Sequence, residues 1–228
     1  MKTVKAFSHW FTADKNGLEQ ITRRNIERRG VGILIAELFQ NSRDANATSI
    51  RFGIWPHLGS RDVMLVCEDD GDGFHSLSHA WTMFAPSIKK TDPTKAGRFN
   101  VGEKFVLSIA KRATIDTTCG TVVFYDDGTR KAFPRRIRQT GTRVTLQLKL
   151  PKTAVQELID SVDDMIIPST LHVTVNDEAI DCRTPTAVFA ESLPTEVAGE
   201  DGVMKKTTRR TDVELYAVKD GEVAKLFE

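Results

Sequence analysis

The chain has 228 residues, enough for one large domain or for one domain and the beginning of a second. With 40% hydrophobic and 28% charged residues its composition is globular, and a net charge of +1 offers a polyanion no bulk attraction. Three cysteines with no CxxC pair argue against a disulfide framework or a zinc site. The opening MKTVKAFSHWF lacks the apolar core of a signal peptide, and no window approaches the ~18 apolar residues of a membrane span, so a cytoplasmic protein with no membrane partner is expected.

Residues 1–17 read as an N-terminal arm. GLEQITRRNIERRG predicts a helix with Leu18, Ile21, Asn25 and Ile26 near one face and Gly30 at its end. A second helix is expected from Ile33 to Asn46. Its run VGILIAELF is apolar enough to be largely buried, yet ELFQNSRD carries Glu37, Asn41 and Asp44. A carboxylate and an amide that go inside must satisfy each other or line a pocket. TSIRFGIW alternates at Ile50, Phe52 and Ile54 and predicts a strand. DVMLVCED is a short apolar run expected of a central strand buried on both faces, broken sharply by GDG.

From Phe74 to Gly102 the pattern is weak and holds Pro86, Pro93 and Gly97. Connections of that length are usually functional lids or disordered. EKFVLSIAKRA predicts a short amphipathic helix. ATIDTTCGTVVFYDDGTRKAF predicts paired hairpins with turns at Cys119-Gly120 and Asp127-Gly128, and TRVTLQLKL a strand with Val144, Leu146, Leu148 and Leu150 on one face. Pro151 opens a further helix, KTAVQELIDSVDDMI, and TLHVTVNDEAI is a strand running into an Asn176-Asp177 turn, so 151–184 reads as a connecting helix and strand. DVELYAVKDGEVAKLF reads as a hairpin around Asp220-Gly221, which makes 185–228 the start of a second, truncated, β-containing domain. The basic clusters RRNIERR, PRRIR and KKTTRR are short and read as solvated faces.

Four stretches carry chemistry. In the first, Glu37 and Asn41 lie four apart and share a helix face, with Asp44 one turn on. An amide oxygen can ligate Mg²⁺, and a carboxylate can take a proton from a water or hydroxyl attacking a phosphate. In the second, VMLVCEDDGDGF, Asp69 ends a strand where it could accept a hydrogen bond from an exocyclic amine, and Gly71 and Gly73 let the backbone approach a ligand. FHSLSHAW supplies no further oxygen ligands for a calcium loop. In the third, GRFNVGEKFVLSIAK, a glycine-bounded loop opens a helix whose N-terminus favours phosphate, although no Gly-Lys-Ser/Thr ending makes it a P-loop. The fourth, GTRVTLQL, says little alone.

In this order the four stretches resemble the GHKL ATPases, the superfamily of gyrase-type topoisomerases, large heat-shock chaperones, histidine kinases and MutL proteins. ELFQNSRDA looks like the N-box, DDGDG the Asp-x-Gly-x-Gly box, GRFNVG the second glycine box and GTRV the closing strand, across residues 18–150. The resemblance implies an α+β fold, a two-layer α/β sandwich with a mixed sheet covered on one face by helices. It implies ATP and Mg²⁺ as cofactors, with Glu37 as general base and Asn41 as metal ligand. Asp69 would bind the adenine amine with Thr142 nearby, and Asp44 and Ala45 would brace the pocket beside Gly71 and Gly73. Gly97, Phe99, Asn100, Val101, Gly102, Glu103 and Lys104 would wrap the phosphates, and Phe74–Phe99 would be a lid. Asn100 departs from the family's middle glycine, though Asn tolerates left-handed backbone well. The implied activity is Mg-dependent ATP binding and slow hydrolysis, coupled to lid closure and homodimerisation, with DNA or protein as client. Two alternatives stand beside it: a protein kinase of the same fold, and a nucleotide-binding module without turnover.

Overall fold

The computed structural model describes residues 14–57, 60–83, 102–198 and 204–218. Helix α1 (Lys15–Arg29) begins where Asp14, in extended conformation, accepts the Gly17 N–H at 2.8 Å, and ends at Gly30, whose N–H returns to the Ile26 carbonyl. It therefore takes in the last three residues of the expected arm, and residues 1–13 lie outside the described part. Asp14→Ala removes an N-cap and is expected to cost about 1 kcal/mol of stability in urea unfolding. A change within experimental error would mean that the helix start is held by packing instead.

Helix α2 (Ile33–Asp44) follows, then strands β1 (Ser49–Pro56) and β2 (Asp62–Asp69), and a 3-10 turn at Leu77–Ala80. Beyond it come α3 (Gly102–Ser108), β3 (Ala110–Thr117), β4 (Gly120–Tyr125), β5 (Arg130–Phe133), β6 (Arg143–Lys149), α4 (Lys152–Asp163), β7 (His172–Val175) and β8 (Glu178–Ala179). Two long strands, β9 (Ala187–Ala198) and β10 (Met204–Leu215), end the described chain.

Eight strands form one sheet in the order β5-β4-β3-β6-β2-β1-β7-β8. All neighbours are antiparallel except β1 and β7, which run parallel. The sheet is thus mixed, as expected. Alternation decides its faces: Ile50, Phe52, Ile54, Val63, Leu65, Cys67, Ile115, Val144, Leu146, Leu148 and Val173 are buried in one core with Leu34, Ile35, Leu38 and Phe39 of α2 and Leu158 and Val162 of α4. Each such side chain contributes about 1.5–3 kcal/mol by leaving water. The opposite face, which no helix of the described residues covers, is the open face and carries Arg51, Met64, Glu68, Arg112, Arg143 and Gln147. The architecture is a two-layer α+β sandwich.

Several expectations need correction. In α1 the buried residue is Thr22, while Ile21 is 48% exposed. The Thr22 hydroxyl lies 2.9 Å from the Leu18 carbonyl and 3.1 Å from Ser108 Oγ, so α1 docks on α3 through a polar contact that an apolar pattern does not show. Helix α2 stops at Asp44 because Asn46 takes a left-handed conformation (φ 60°). Strand β2 is central, and on the open face it is buried at Val66 but not at Met64, which is 38% exposed. Helix α3 ends at Ser108, and Ala110–Ala113, expected to be helical, belong to β3, which pairs with both β4 and β6. The first hairpin turns at Thr118-Cys119, one residue earlier than expected. Asn176 and Asp177 do form a tight turn, both with positive φ (49° and 69°). Residues 151–184 are more than a connector, since α4, β7 and β8 complete the sheet and its core. Asp212–Leu215 pairs backwards with Ala187–Ala190, and the hairpin expected around Asp220-Gly221 lies outside the described residues. No helix among the described residues is long and apolar enough to cross a membrane.

Candidate functional site

The centre of the site is Asp69, at the end of β2 and buried. One carboxylate oxygen accepts the N–H groups of Gly71 and Thr142, each at 3.0 Å, and the other accepts the Ser42 hydroxyl at 3.1 Å. Burial pushes its pKa up, and these three donors pull it back part of the way. The residues of three sequence stretches therefore converge on one carboxylate.

Close backbone contacts hold them there. Gly141 has φ 66°, and a Cβ on it would lie 1.8 Å from the Asp69 carbonyl oxygen, so no side chain fits. Its N–H donates to the Gly71 carbonyl at 2.8 Å. A Cβ on Gly71 would in turn meet the Ala45 carbonyl oxygen at 2.4 Å, at the C-terminal end of α2. Ala45 accepts the Asp72 N–H, and Gly73 sits against Thr117 and Thr118. Asp70 turns away and ties the start of β1, accepting the Thr48 and Ser49 N–H groups at 2.8 Å each.

Glu37 and Asn41 share a face of α2, as their spacing predicts. Glu37 is partly buried, and its desolvation raises its pKa above the ordinary glutamate value, against a smaller lowering by Arg29. Its carboxylate lies against Gly102, at the start of α3, where a Cβ would sit 1.8 Å from Oε2. The Asn41 amide nitrogen is buried and has no hydrogen-bond partner among the described residues. A buried amide left open costs about 1–3 kcal/mol, which makes this nitrogen a candidate contact for a bound group. Asp44 is buried and accepts the Gln40 amide at 3.0 Å.

Not every expected residue meets the site. The Lys104 ammonium is buried and donates to the His79 carbonyl, tying α3 to the 3-10 turn. Gly97, Phe99, Asn100 and Val101 lie outside the described residues, as does most of the expected lid, and the side chain of Glu103 is not described. Phe74, Leu77 and Trp81, at the start of that segment, pack on the core, and the Phe74 N–H donates to Thr117 Oγ1 at 2.8 Å.

Sequence reasoning missed Ser42 and Thr117. Ser42 falls on the buried stripe Ile35, Leu38, Phe39, Ser42, where a hydroxyl among apolar residues was the available signal. Thr117 Oγ1 lies 3.4 Å from Thr142 Oγ1, and nothing in the β3 pattern marks it. No group of three or more His, Cys, Asp or Glu gathers to hold a metal among the described residues. Mg²⁺ does not need one, since it keeps most of its waters and takes one or two protein oxygens besides phosphate. The open Asn41 amide fits that role; its oxygen and nitrogen ends are interchangeable by a flip.

No family model and no curated protein matches the chain. Solved structures do match. The ATPase and transducer domains of DNA topoisomerase II from Balamuthia mandrillaris align at a TM-score of 0.52 and 14% identity, over 67% of this chain and 48% of that one. The ATPase region of Saccharomyces cerevisiae topoisomerase II bound to ICRF-187 (dexrazoxane) aligns at 0.49 and 14%, over 68% and 50%. The N-terminal domain of a DNA repair protein aligns at 0.48 and 16%, over 78% and 65%. The chain spans about half the length of the two topoisomerase structures and 65% of the third. At this identity the likeness to the Balamuthia mandrillaris structure is one of fold: a Bergerat-type α+β sandwich, as the order of the sequence boxes implies.

Proposed function

We propose that the chain binds Mg-ATP and hydrolyses it slowly. The observation that carries this reading is the open, buried Asn41 amide one turn beyond a desolvated Glu37, on the helix whose Ser42 holds the buried Asp69. Asp69 offers an acceptor for the exocyclic amine of adenine, and Thr142 lies beside it. Asn41 would hold Mg²⁺ by its amide oxygen, and the ion would neutralise charge on the phosphates when bound. Glu37 would take the proton of the attacking water. Residues 97–102 would contact the phosphates, and nucleotide would couple to closure of the segment from Phe74 to Phe99 and to pairing of two chains. The paired strands β9 and β10 join no other strand of the described residues, which supports a separate β-containing unit beginning near residue 185.

The test is phosphate release from Mg-ATP as a function of pH. A general base must be ionised to work. Burial raises the pKa of Glu37, so kcat/KM should rise with pH through a value above the ordinary 4.5 and fall away below it. An acid limb at or below 4.5, or one retained in Glu37→Gln, removes Glu37 from the role. Absence of any phosphate release at any pH removes the hydrolytic reading.

A further inference from the structure

The proposed nucleotide site lies on the helical side of the sheet, which leaves the open face without an assigned role. Its β5 edge is basic: from Gly128 to Arg138 the sequence holds Arg130, Lys131, Arg135, Arg136 and Arg138 and no Asp or Glu, in a chain whose net charge is only +1. The segment after β5 folds back over the open face: the Arg138 N–H donates to the Thr117 carbonyl, and the Thr121 hydroxyl to the Arg136 carbonyl at 2.9 Å. This brings Arg136, with Arg135 next to it in the chain, beside Lys131 of β5, both Arg136 and Lys131 lying over the Phe133 ring. Arg112 and Tyr125 are cross-strand partners, as are Val123 and Lys131, which places all of them on the open face.

The basic groups are interleaved with aromatic rings. The Arg112 guanidinium lies over Tyr125 at 5.4 Å, and Lys131 and Arg136 both lie over Phe133 at 5.4 Å. Arg138 is neutralised by Glu68, 2.6 Å away, and Glu68 also binds Arg51 and faces Arg143. Arg112, Lys131, Arg135 and Arg136 make no ion pair among the described residues, and all four are exposed. Four unneutralised cations on one surface repel one another, a cost that an anion removes.

We propose that this edge, formed by β3, β4, β5 and residues 134–138, binds single-stranded nucleic acid. Arg112, Lys131, Arg135 and Arg136 contact phosphates, and the Arg112–Tyr125 and Arg136–Phe133 stacks receive bases on their guanidinium planes and ring edges. Stacking platforms beside unpaired cations on an exposed sheet match the chemistry of unpaired bases joined by phosphates. An acidic protein or a lipid headgroup would use the charges but not the stacks. The short PRRIR cluster, read from sequence as a solvated face, becomes part of a larger surface only when the sheet sets it beside Arg112 and Lys131.

Fluorescence anisotropy of labelled mixed-sequence single strands, in ~50 and ~200 mM salt, tests the proposal, because each phosphate contact adds about 0.7 to the salt slope on single strands. The full chain should bind the strand at low salt and weaken steeply with salt. K131S/R135S/R136S should bind at least tenfold more weakly with a slope smaller by about 2. Arg112→Ala, which loses a stack, should weaken single strands more than duplex of equal charge. No binding at low salt, or equal affinity and slope in the triple variant, overturns the proposal. So does tighter binding to vesicles rich in phosphatidylserine than to oligonucleotide, lost in the same variant, which would assign the surface to a membrane. If the triple variant melts early, Arg135→Glu alone decides by the same two readouts. Asp69→Asn should bind the strand as wild type does, which separates this surface from the nucleotide site.

Discussion

Glu37→Ala is expected to lower ATP turnover by about 10²–10⁴-fold, the range for loss of a general base, and to leave the affinity for Mg-ATP within a few-fold of wild type. The geometry predicts that split. Glu37 lies against the first residue of α3, half in solvent-poor surroundings, and no protein donor to its carboxylate is seen among the described hydrogen bonds. It is poised to accept, so its removal takes away chemistry rather than a binding contact. Stability should not obscure the result. A carboxylate whose pKa is raised by folding costs nothing below its unfolded pKa, and its full cost is present once pH exceeds the folded value. At neutral pH the variant loses that cost and gains a better helix former, so it should melt at or above the wild-type temperature. Steady-state phosphate release and titration with a non-hydrolysable analogue give the two numbers. Turnover equal to wild type would show that another group takes the proton. Loss of affinity in parallel with turnover would recast Glu37 as a binding residue.

The parts of this site that could be read from sequence are those set by local spacing. Glu37 and Asn41 need only the helical period to share a face, and the GDG break after an apolar strand forces Asp69 to a strand end. The alternation at Ile50, Phe52 and Ile54 and at Val144, Leu146 and Leu148 assigns the core face of β1 and β6 directly. What stayed hidden depends on long-range contacts. Ser42 acquires its role from Asp69, 27 residues away, and Thr22 from Ser108, 86 residues away. The start of β3 looked helical because Ala110–Ala113 continue an amphipathic run, and only pairing with both β4 and β6 draws them into the sheet. The 151–184 segment looked like a connector because its strand is only four residues long, yet parallel pairing with β1 extends the sheet by two strands. The β9–β10 pairing went unread because the Asp220-Gly221 pair, which lies outside the described residues, drew the turn assignment in that part of the sequence.

Asp69→Asn is expected to weaken ATP binding about ten- to hundredfold, from loss of roughly 1.5–3 kcal/mol, the scale of a hydrogen bond to a charged group. The substitution is nearly isosteric, so the fold should tolerate it. The retained amide oxygen can still accept the Gly71 and Thr142 N–H groups, and the new amide can donate to the Ser42 hydroxyl, which accepts as readily as it donates. What changes is the charge, and with it the attraction for an exocyclic amine. Burial raises the Asp69 pKa above its ordinary value, and its three donors offset part of that rise. Thermal melts separate the two explanations. If Asp69 recognises adenine, the apo variant melts near wild type, and a Mg-ATP analogue raises the melting temperature of wild type but not of the variant. If Asp69 only fastens the loops of Gly71 and Gly141, the apo melt falls, and the ligand-induced rise, measured from that lower baseline, stays as large as in wild type. A rise in neither protein would remove the nucleotide pocket itself, and Glu37 and Asn41 would need a different ligand to account for the amide that α2 leaves open.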